Sequence, residues 1–233
     1  WVIAETTETR TPMIKIVVTG DDGRYVLPQL PTATYNVWVR GYGLVDSQKV
    51  KGRPGDTALN LTAVVAPTPA DAAKVYPGNY GLSLLQPPPK SAFPGTGEKG
   101  NGIPPAMESQ AHWIYNIKSG CNFCHELGTQ ITRTLGHMDH LGFKTPEEAW
   151  VYRTQLGVRG SAMAGTMAQW GTQAGARVLA DWTTRIAQGE VPPQPERPAG
   201  IERNVVVTLW DWGTPQSFMH DEISTDKNDP TVN

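Results

Sequence analysis

The sequence contains few cysteines, no strong excess of charge and no long hydrophobic run. Its 233 residues include 2 Cys, and 20 Lys and Arg against 22 Asp and Glu give a formal net charge of −2. The near balance of positive and negative charges gives no sign of the basic surface by which proteins bind nucleic acids and acidic membranes. No apolar run reaches the roughly 18 residues that a transmembrane helix requires. We therefore expect neither a nucleic-acid partner nor a transmembrane segment in this chain.

Glycine and proline, in contrast, are abundant. The chain holds 24 Gly and 20 Pro, more than average usage, and this excess favours short strands, turns and extended connectors over a helical bundle. Composition and patterning divide the sequence into four regions. They are residues 1–66, 67–107, 108–189 and 190–233. The predicted fold class is multidomain, with an all-β sandwich and an all-α domain joined by a long Pro/Gly-rich strap.

The first region shows the period-two apolar pattern of β-strands. Alternation is clear over residues 14–18 and 35–39, and turn signals follow at 21–23 and 41–43. Two further strands are predicted over 25–27 and 58–65. Short strands separated by turns every eight to twelve residues or so are typical of a β-sandwich.

The same region resembles the carboxypeptidase regulatory-like domain. The resemblance lies in the segment from Thr19 to Pro31, in Tyr35-Asn36-Val37-Trp38-Val39 and in Gly41-Tyr42-Gly43. It implies a transthyretin-like sandwich of about seven strands that serves as a docking or structural module without catalysis. Ala33 stands where the family usually has Gly. The family's first strand is also absent, so we expect an N-terminally incomplete domain and a chain that is a piece of a longer protein.

Residues 67–107 form a connector rich in Pro and Gly. It contains nine prolines, and such a stretch favours polyproline II and turns over regular helices. Apolar side chains such as Tyr76, Leu85 and Phe93 interrupt it, whereas a free linker would not need them. We expect an ordered strap that lies across a neighbouring surface.

The two cysteines lie in one short motif after a predicted helix. The helix covers residues 108–119 and ends at Gly120, and Cys121, Cys124 and His125 then form C-x-x-C-H. This is the attachment signature of c-type haem. Two thiols three positions apart can each add to a vinyl group of one porphyrin, while the adjacent imidazole binds the iron. The motif predicts one covalent haem c.

Three other interpretations of the motif remain open. A thioredoxin-like redox pair would need a βαβ context, and none surrounds these cysteines. A structural zinc site needs four ligands, and the sequence has no second cysteine pair. A disulfide between Cys121 and Cys124 would leave His125 without a role.

Residues 108–189 resemble a small cytochrome c around this motif. A helix is predicted to start at Thr145, with Pro146 at its first position and Glu148 completing a capping box. A last helix is predicted over 172–188, ending at Gly189. The resemblance implies that the first and last helices cross near the haem. The residues expected at that crossing are Ile114, Ile117, Val178 and Trp182.

A cytochrome built for electron transfer normally has a second axial ligand. We assign this role to Met163, which the sequence places in a Gly-flanked loop between the two later helices. A thioether ligand raises the reduction potential, whereas a second imidazole lowers it. The runners-up are Met167, His140 and His137. A methionine elsewhere in a protein is more often a core residue, and a loop histidine is more often solvated.

The tail contains a proline-rich spacer and then a strong strand signal over 204–213. Because a lone strand is unstable, it must join a sheet of this chain, a partner, or a missing domain. The layout resembles bacterial proteins in which such a sandwich and a monohaem cytochrome precede a β-propeller of the streptogramin-lyase type. That resemblance implies that residues 210–222 lead into the first blade.

Electron transfer through one haem c is the function these residues favour. The β-sandwich would dock the haem domain on a redox partner protein or a larger complex, and this chain itself would not be an enzyme. One alternative is the electron-accepting front part of a larger quinoprotein-like or lyase-like enzyme. Another is a five-coordinate haem with peroxidase or ligand-sensing chemistry. Since bacteria attach haem c outside the cytoplasm, the motif implies a periplasmic or extracellular location.

Overall fold

The computed structural model describes residues 1–210, which form two compact units. Residues 1–76 and 193–210 form the first, here called the β unit, and residues 77–192 form the second, here called the helical unit. Together they hold a sheet of five antiparallel strands, a second small sheet and several helices. Within the described residues, no helix has the length and apolar character needed to cross a membrane.

The β unit contains seven strands among its described residues: β1 (Val2–Thr6), β2 (Met13–Val17), β3 (Tyr35–Val39), β4 (Leu44–Val45), β5 (Val50–Gly52), β6 (Val64–Val65) and β7 (Val207–Trp210). Five of them form an antiparallel sheet with the order β5-β3-β1-β2-β7. The two short strands β4 and β6 form a separate antiparallel pair. One short helix, α1 (Pro69–Ala73), and the 3₁₀ turn Gly200–Asn204 complete the unit.

The strand predictions are confirmed at β2 and β3 and wrong at the other two segments. No strand forms over 25–27, where Pro28 lacks a backbone donor and Gln29 has a φ of 53°. Only the last two residues of the 58–65 segment pair, as β6. The Tyr25 hydroxyl instead donates to the carbonyl of Leu59 at 2.6 Å. A side-chain hydrogen bond thus joins the two segments, neither of which forms the full predicted strand.

The strand predicted in the tail belongs to the sheet of this chain. β7 pairs with β2 in antiparallel register, with Val207 opposite Ile16 and Trp210 opposite Met13. Of the three partners left open by the sequence, the structure selects the β unit. The tail therefore returns to the first unit over 193–210, where a spacer leading to another domain was expected. The remainder of the segment predicted to enter a propeller blade lies outside the described residues.

The core of the β unit follows the period-two pattern. Its fully buried members are Val2, Ala4, Val17, Tyr35 and Val37. Lys15 is also buried, and its Nζ donates to the carbonyls of Pro28 and Gln29 at 3.1 and 3.4 Å. The ammonium group is thereby satisfied by the backbone, as a buried polar group must be.

The helical unit contains six helices and a π-helical turn. These are α2 (Gly78–Leu82), α3 (Gln110–Asn116), the π-helical turn Ile117–Cys121, α4 (Gln130–Arg133), α5 (Pro146–Arg153), α6 (Gly160–Trp170) and α7 (Thr172–Ala187). Two 3₁₀ turns, Lys90–Ala92 and Gly136–Leu141, lie between them. The predicted start of α5 is confirmed, because the Thr145 hydroxyl accepts from the Glu148 amide at 3.2 Å and Pro146 is the first helical residue. The Glu148 carboxylate accepts from the backbone amide of Lys144, whereas a capping box would use the amide of Thr145.

Tryptophans dominate the core of the helical unit. Trp113, Trp170 and Trp182 are fully buried, and α7 packs chiefly against α5 and α6. Trp113 of α3 stacks on Trp170 of α6 with 4.8 Å between ring centroids. The predicted crossing of the first and last helices stays a prediction: Ile117 and Trp182 share this core and Val178 packs against it, while the ring stack joins α3 to α6. Ile114 is 37% exposed, while Ile117 lies in the core.

The connector is ordered and packs on the helical unit over residues 77–107. Its side chains Leu85, Ile103 and Met107 are buried in the tryptophan core. The Trp182 indole donates to the carbonyl of Gly81 at 2.9 Å, and Arg185 donates to the carbonyl of Leu84 at 2.7 Å. The connector thus completes the hydrophobic core of this unit and is more than a link to it.

Candidate functional site

The C-x-x-C-H motif forms one compact helical turn. The π-helical turn carries the chain from α3 into Cys121, whose carbonyl accepts from the amide of Cys124 at 3.1 Å and from that of His125 at 2.9 Å. The Asn122 amide donates to the carbonyl of Ile117 at 2.9 Å. These three backbone hydrogen bonds hold Cys121, Cys124 and His125 in one turn. Cys121 belongs to both the turn and the motif, which ties the motif rigidly to α3.

The two thiols are both free and differ in exposure. Cys121 is half-buried against the tryptophan core, whereas Cys124 is exposed. Burial raises the pKa of the Cys121 thiol to about 11, and neighbouring Cys124 adds to the rise. A thioredoxin-like redox pair needs the opposite, a thiol whose pKa is lowered to make a reactive thiolate. The geometry therefore disfavours the redox-pair interpretation.

The other two interpretations also lack structural support. Cys121 and Cys124 form no disulfide. Among residues 1–210, no group of three or more His, Cys, Asp and Glu side chains is placed to hold a metal ion. A structural zinc site requires four such ligands.

The segment after His125 is clamped by close backbone approaches. Gly128 has a φ of 93°, and a Cβ on it would lie 1.9 Å from the carbonyl oxygen of Gly78. A Cβ on Gly81 would lie 2.3 Å from the carbonyl oxygen of Gly128. The Gly78 amide donates to Oε1 of Glu126 at 3.2 Å. α2 thus lies directly on the chain that leaves the motif, a contact that no sequence spacing indicates.

Two arginines brace the next few residues. Nη1 of Arg133 donates to the carbonyl of Gly128 at 2.8 Å. Arg153 of α5 donates to the carbonyls of Ile131 at 2.7 Å and Thr134 at 3.0 Å, and its guanidinium lies 5.0 Å from the Trp150 ring centroid. Burial lowers the pKa of Arg153 to about 10, so it stays charged at neutral pH. The chain beyond His125 is therefore fixed on two sides.

Met163 is half-buried and lies in the first turn of α6, where its amide donates to the carbonyl of Arg159 at 3.1 Å. The prediction that Met163 lies in a loop is wrong. Gly160, one of the two glycines that suggested a loop, permits close packing instead, because a Cβ on it would lie 2.3 Å from the carbonyl oxygen of Gln155. Helical Met163 has a fixed direction that a loop residue would lack.

Contacts between α3 and α6 indicate where Met163 lies. Trp113 stacks on Trp170, Nδ2 of Asn116 donates to Oε1 of Gln169 at 2.8 Å, and Gly120 touches Thr166. In these pairs the residue numbers rise along α3 and the π-helical turn while they fall along α6, so the two segments run antiparallel.

One further helical turn extends this series of contacts past Gly120 and Thr166. Because residues three apart share a helix face, Met163 lies on the side of α6 that carries Thr166. We expect this turn of α6 to lie level with the motif at 121–125.

The runner-up ligands occupy other positions. Met167 is 2% exposed within the tryptophan core, and its Cε lies 3.3 Å from a Cβ built on Gly175 of α7. His140 is exposed and His137 half-buried on the 3₁₀ turn Gly136–Leu141, with Met138 buried between them. Of the four candidates, Met163 alone is half-buried on the face of α6 that carries Thr166.

The structure thus brings Cys121, Cys124 and His125 into one turn and places Met163 on the helix that packs beside it. The closeness of Gly120 to Thr166 and the clamping by Gly128 are features that sequence reasoning missed. Comparisons of the chain with protein-family models, with curated proteins and with solved structures found no match.

Proposed function

We propose that this protein transfers electrons through a single haem c. Cys121 and Cys124 would hold the porphyrin as thioethers, and His125 and Met163 would hold the iron. The observation that carries the proposal is the C-x-x-C-H motif folded as one turn with two free thiols. The haem supplies one-electron chemistry at its iron, with a potential set by its axial ligands and exposure.

Several features of the turn fit such a group. Cys124 is exposed and Phe123 is 84% exposed, so the motif presents an open apolar surface next to an accessible thiol. In the same unit, the Trp170 indole nitrogen is buried and has no hydrogen-bond partner among the described residues. A buried donor without an acceptor costs about 1–3 kcal/mol, and a bound acidic group can remove that cost.

The surrounding residues would keep the ligand set rigid. α2 and the two arginines fix the segment that follows His125, which restrains the imidazole through its own backbone. α6 holds the Met163 thioether on a helix that is anchored by Trp170 in the core. A rigid pair of axial ligands favours electron transfer, because little then has to move when the iron changes charge.

The β unit is proposed as a docking or structural module like the carboxypeptidase regulatory-like domain. Support comes from β3, which covers Tyr35–Val39, and from the turn at residues 20–24, where the Gly20 amide donates to the carbonyl of Arg24 at 2.8 Å. The partner would be a redox protein or larger complex. Covalent haem places the protein in the periplasm or outside the cell.

A haem-peroxidase stain on a denaturing gel tests the proposal. The full chain is produced with a c-type haem maturation system, next to Cys121→Ala/Cys124→Ala and the control Ser119→Ala, whose hydroxyl donates only to the nearby Tyr115 carbonyl. We expect colour in the native chain and the control, and none in the double variant. A colourless native band would contradict covalent haem.

Carbon monoxide binding tests the assignment of Met163. In the reduced native protein, a thioether on the iron should slow carbon monoxide binding, and Met163→Ala should bind it rapidly. Met167→Leu is the matched control, since Met167 lies in the core and leucine keeps most of its volume. Rapid binding by the native protein would show a five-coordinate iron and favour peroxidase or sensing chemistry.

A further inference from the structure

Gly120, the residue before the motif, lies directly against Thr166 of α6. A Cβ built on Gly120 would lie 2.6 Å from Oγ1 of Thr166 and 2.7 Å from its Cγ2. Real Cβ atoms do not approach other heavy atoms this closely, so the Thr166 side chain, the helix or the turn would have to move. Gly120 immediately precedes Cys121, so any movement here reaches the haem-binding residues directly.

Space, and not backbone conformation, requires glycine at this position. Eleven glycines among the described residues have positive φ values, and Gly120 is not one of them. Alanine can adopt the backbone of a helical turn without strain. Thr166 alone supplies the atoms closest to the missing side chain.

The other contacts between α3 and α6 are expected to keep their positions when a side chain is added at residue 120. Trp113 and Trp170 are both fully buried where they stack, and Asn116 is buried where it donates to Gln169. A side chain at 120 would therefore act as a wedge at the end of a fixed interface. It would spread apart the portion of α6 that carries Met163 and the turn that carries Cys121.

We propose that Gly120 is a positioning residue for the sixth ligand. Its lack of a side chain sets the separation between the motif and α6, which keeps the Met163 thioether within reach of an iron held by His125. This inference rests on the proposed function, and it adds a residue that touches neither haem nor iron. Thr166 is its partner, since the pair of residues determines the spacing.

A four-variant comparison tests the proposal. Gly120→Ala inserts the wedge, Thr166→Ala shortens the partner, and the double variant combines them, leaving the Thr166 Cβ position at 3.2 Å as the nearest contact. Gly165→Ala is the control, because a Cβ there on the same helix meets nothing within 4 Å. Haem staining, the red absorption band of a methionine–ferric haem bond and the reduction potential are measured for each.

Gly120→Ala should keep covalent haem, lose the methionine band, bind carbon monoxide rapidly and show a lower potential. Thr166→Ala and Gly165→Ala should retain the band, and the double variant should regain it. An unchanged band in Gly120→Ala would overturn the inference while leaving the haem intact. If Gly120→Ala does not fold, a double variant that folds without the band would also overturn it. A native chain without covalent haem would overturn the proposed function and the inference with it.

Discussion

The two units differ in the reactive side chains that they expose. In the β unit, the Lys15 ammonium, the Tyr25 hydroxyl and the Tyr35 hydroxyl all donate to backbone carbonyls of the same unit. In the helical unit, Arg133 and Trp182 do the same, but Cys124 is exposed and Cys121 is half-buried beside it. Both units thus use polar side chains to hold their own backbone, and the helical unit in addition presents an accessible thiol.

The units also differ in how their interiors are filled. The β unit has a small core of alternating strand residues. The helical unit packs buried tryptophans and brings backbone against backbone at Gly78, Gly81 and Gly128. Because a close-packed interior relaxes little around a change, we expect single substitutions at these positions to cost more than comparable ones in the β unit.

The largest expected effect is that of Trp182→Ala. This side chain is 0% exposed, and its indole donates to the carbonyl of Gly81. Loss of the ring should lower the free energy of unfolding by about 3–5 kcal/mol. Urea unfolding followed by far-UV circular dichroism measures the change. Trp210→Ala, at a half-exposed residue of β7, should change it far less, and an equal loss would break the comparison.

The next effect is that of Gly128→Ala. The substitution places a Cβ 1.9 Å from the carbonyl oxygen of Gly78 on a backbone with φ of 93°. The unfavourable backbone alone costs about 1–2 kcal/mol, and the clash adds to it. Gly142→Ala is the control, because its φ is 70° and a Cβ there meets nothing within 4 Å. Equal changes in the midpoint of thermal unfolding would show that α2 does not clamp the segment after His125.

A smaller loss is expected from Tyr35→Phe in the β unit. Tyr35 is fully buried, and its hydroxyl donates to the carbonyl of Pro31 at 2.9 Å. Removal of the donor should cost about 1–2 kcal/mol, measured by urea unfolding. Tyr115→Phe, at an exposed tyrosine, should leave stability unchanged. If Tyr35→Phe lowered the free energy of unfolding as much as Trp182→Ala does, the cores of the two units would tolerate substitution equally poorly.

The sequence indicated those features that depend on local pattern. Alternation located β2 and β3, and Thr145 with Pro146 located the start of α5, because strand faces and helix caps are set by neighbouring residues. Close approaches between distant segments leave no such pattern. Gly128 meets Gly78 across fifty residues, and Gly160 signalled a loop although it permits a tight helix start. The motif was visible for the same local reason, whereas the position of Met163 depended on α3 packing against α6.

The smallest expected effect concerns Asp21 of the β unit. A hydrogen bond from Arg203 lowers the pKa of this exposed carboxylate, and nearby Arg197 adds to the effect. Because the folded pKa is depressed, the contribution to stability is present above about pH 4 and is lost as the pH falls through the folded pKa. Asp21→Asn should slightly flatten the acid side of the stability profile, more visibly at low salt. If Asp21→Asn lowered the free energy of unfolding at pH 7 by more than Tyr35→Phe does, this ranking would be contradicted.

The intact mass of the full chain tests the central claim most directly. The protein is matured in cells that attach haem c, and it is then denatured, treated with a thiol-alkylating reagent and weighed. The proposed function predicts a mass increased by one haem, located by peptide analysis on the segment that holds Cys121 and Cys124, with neither thiol alkylated. An unmodified chain with both thiols alkylated would contradict the haem site and leave a protein with two free cysteines.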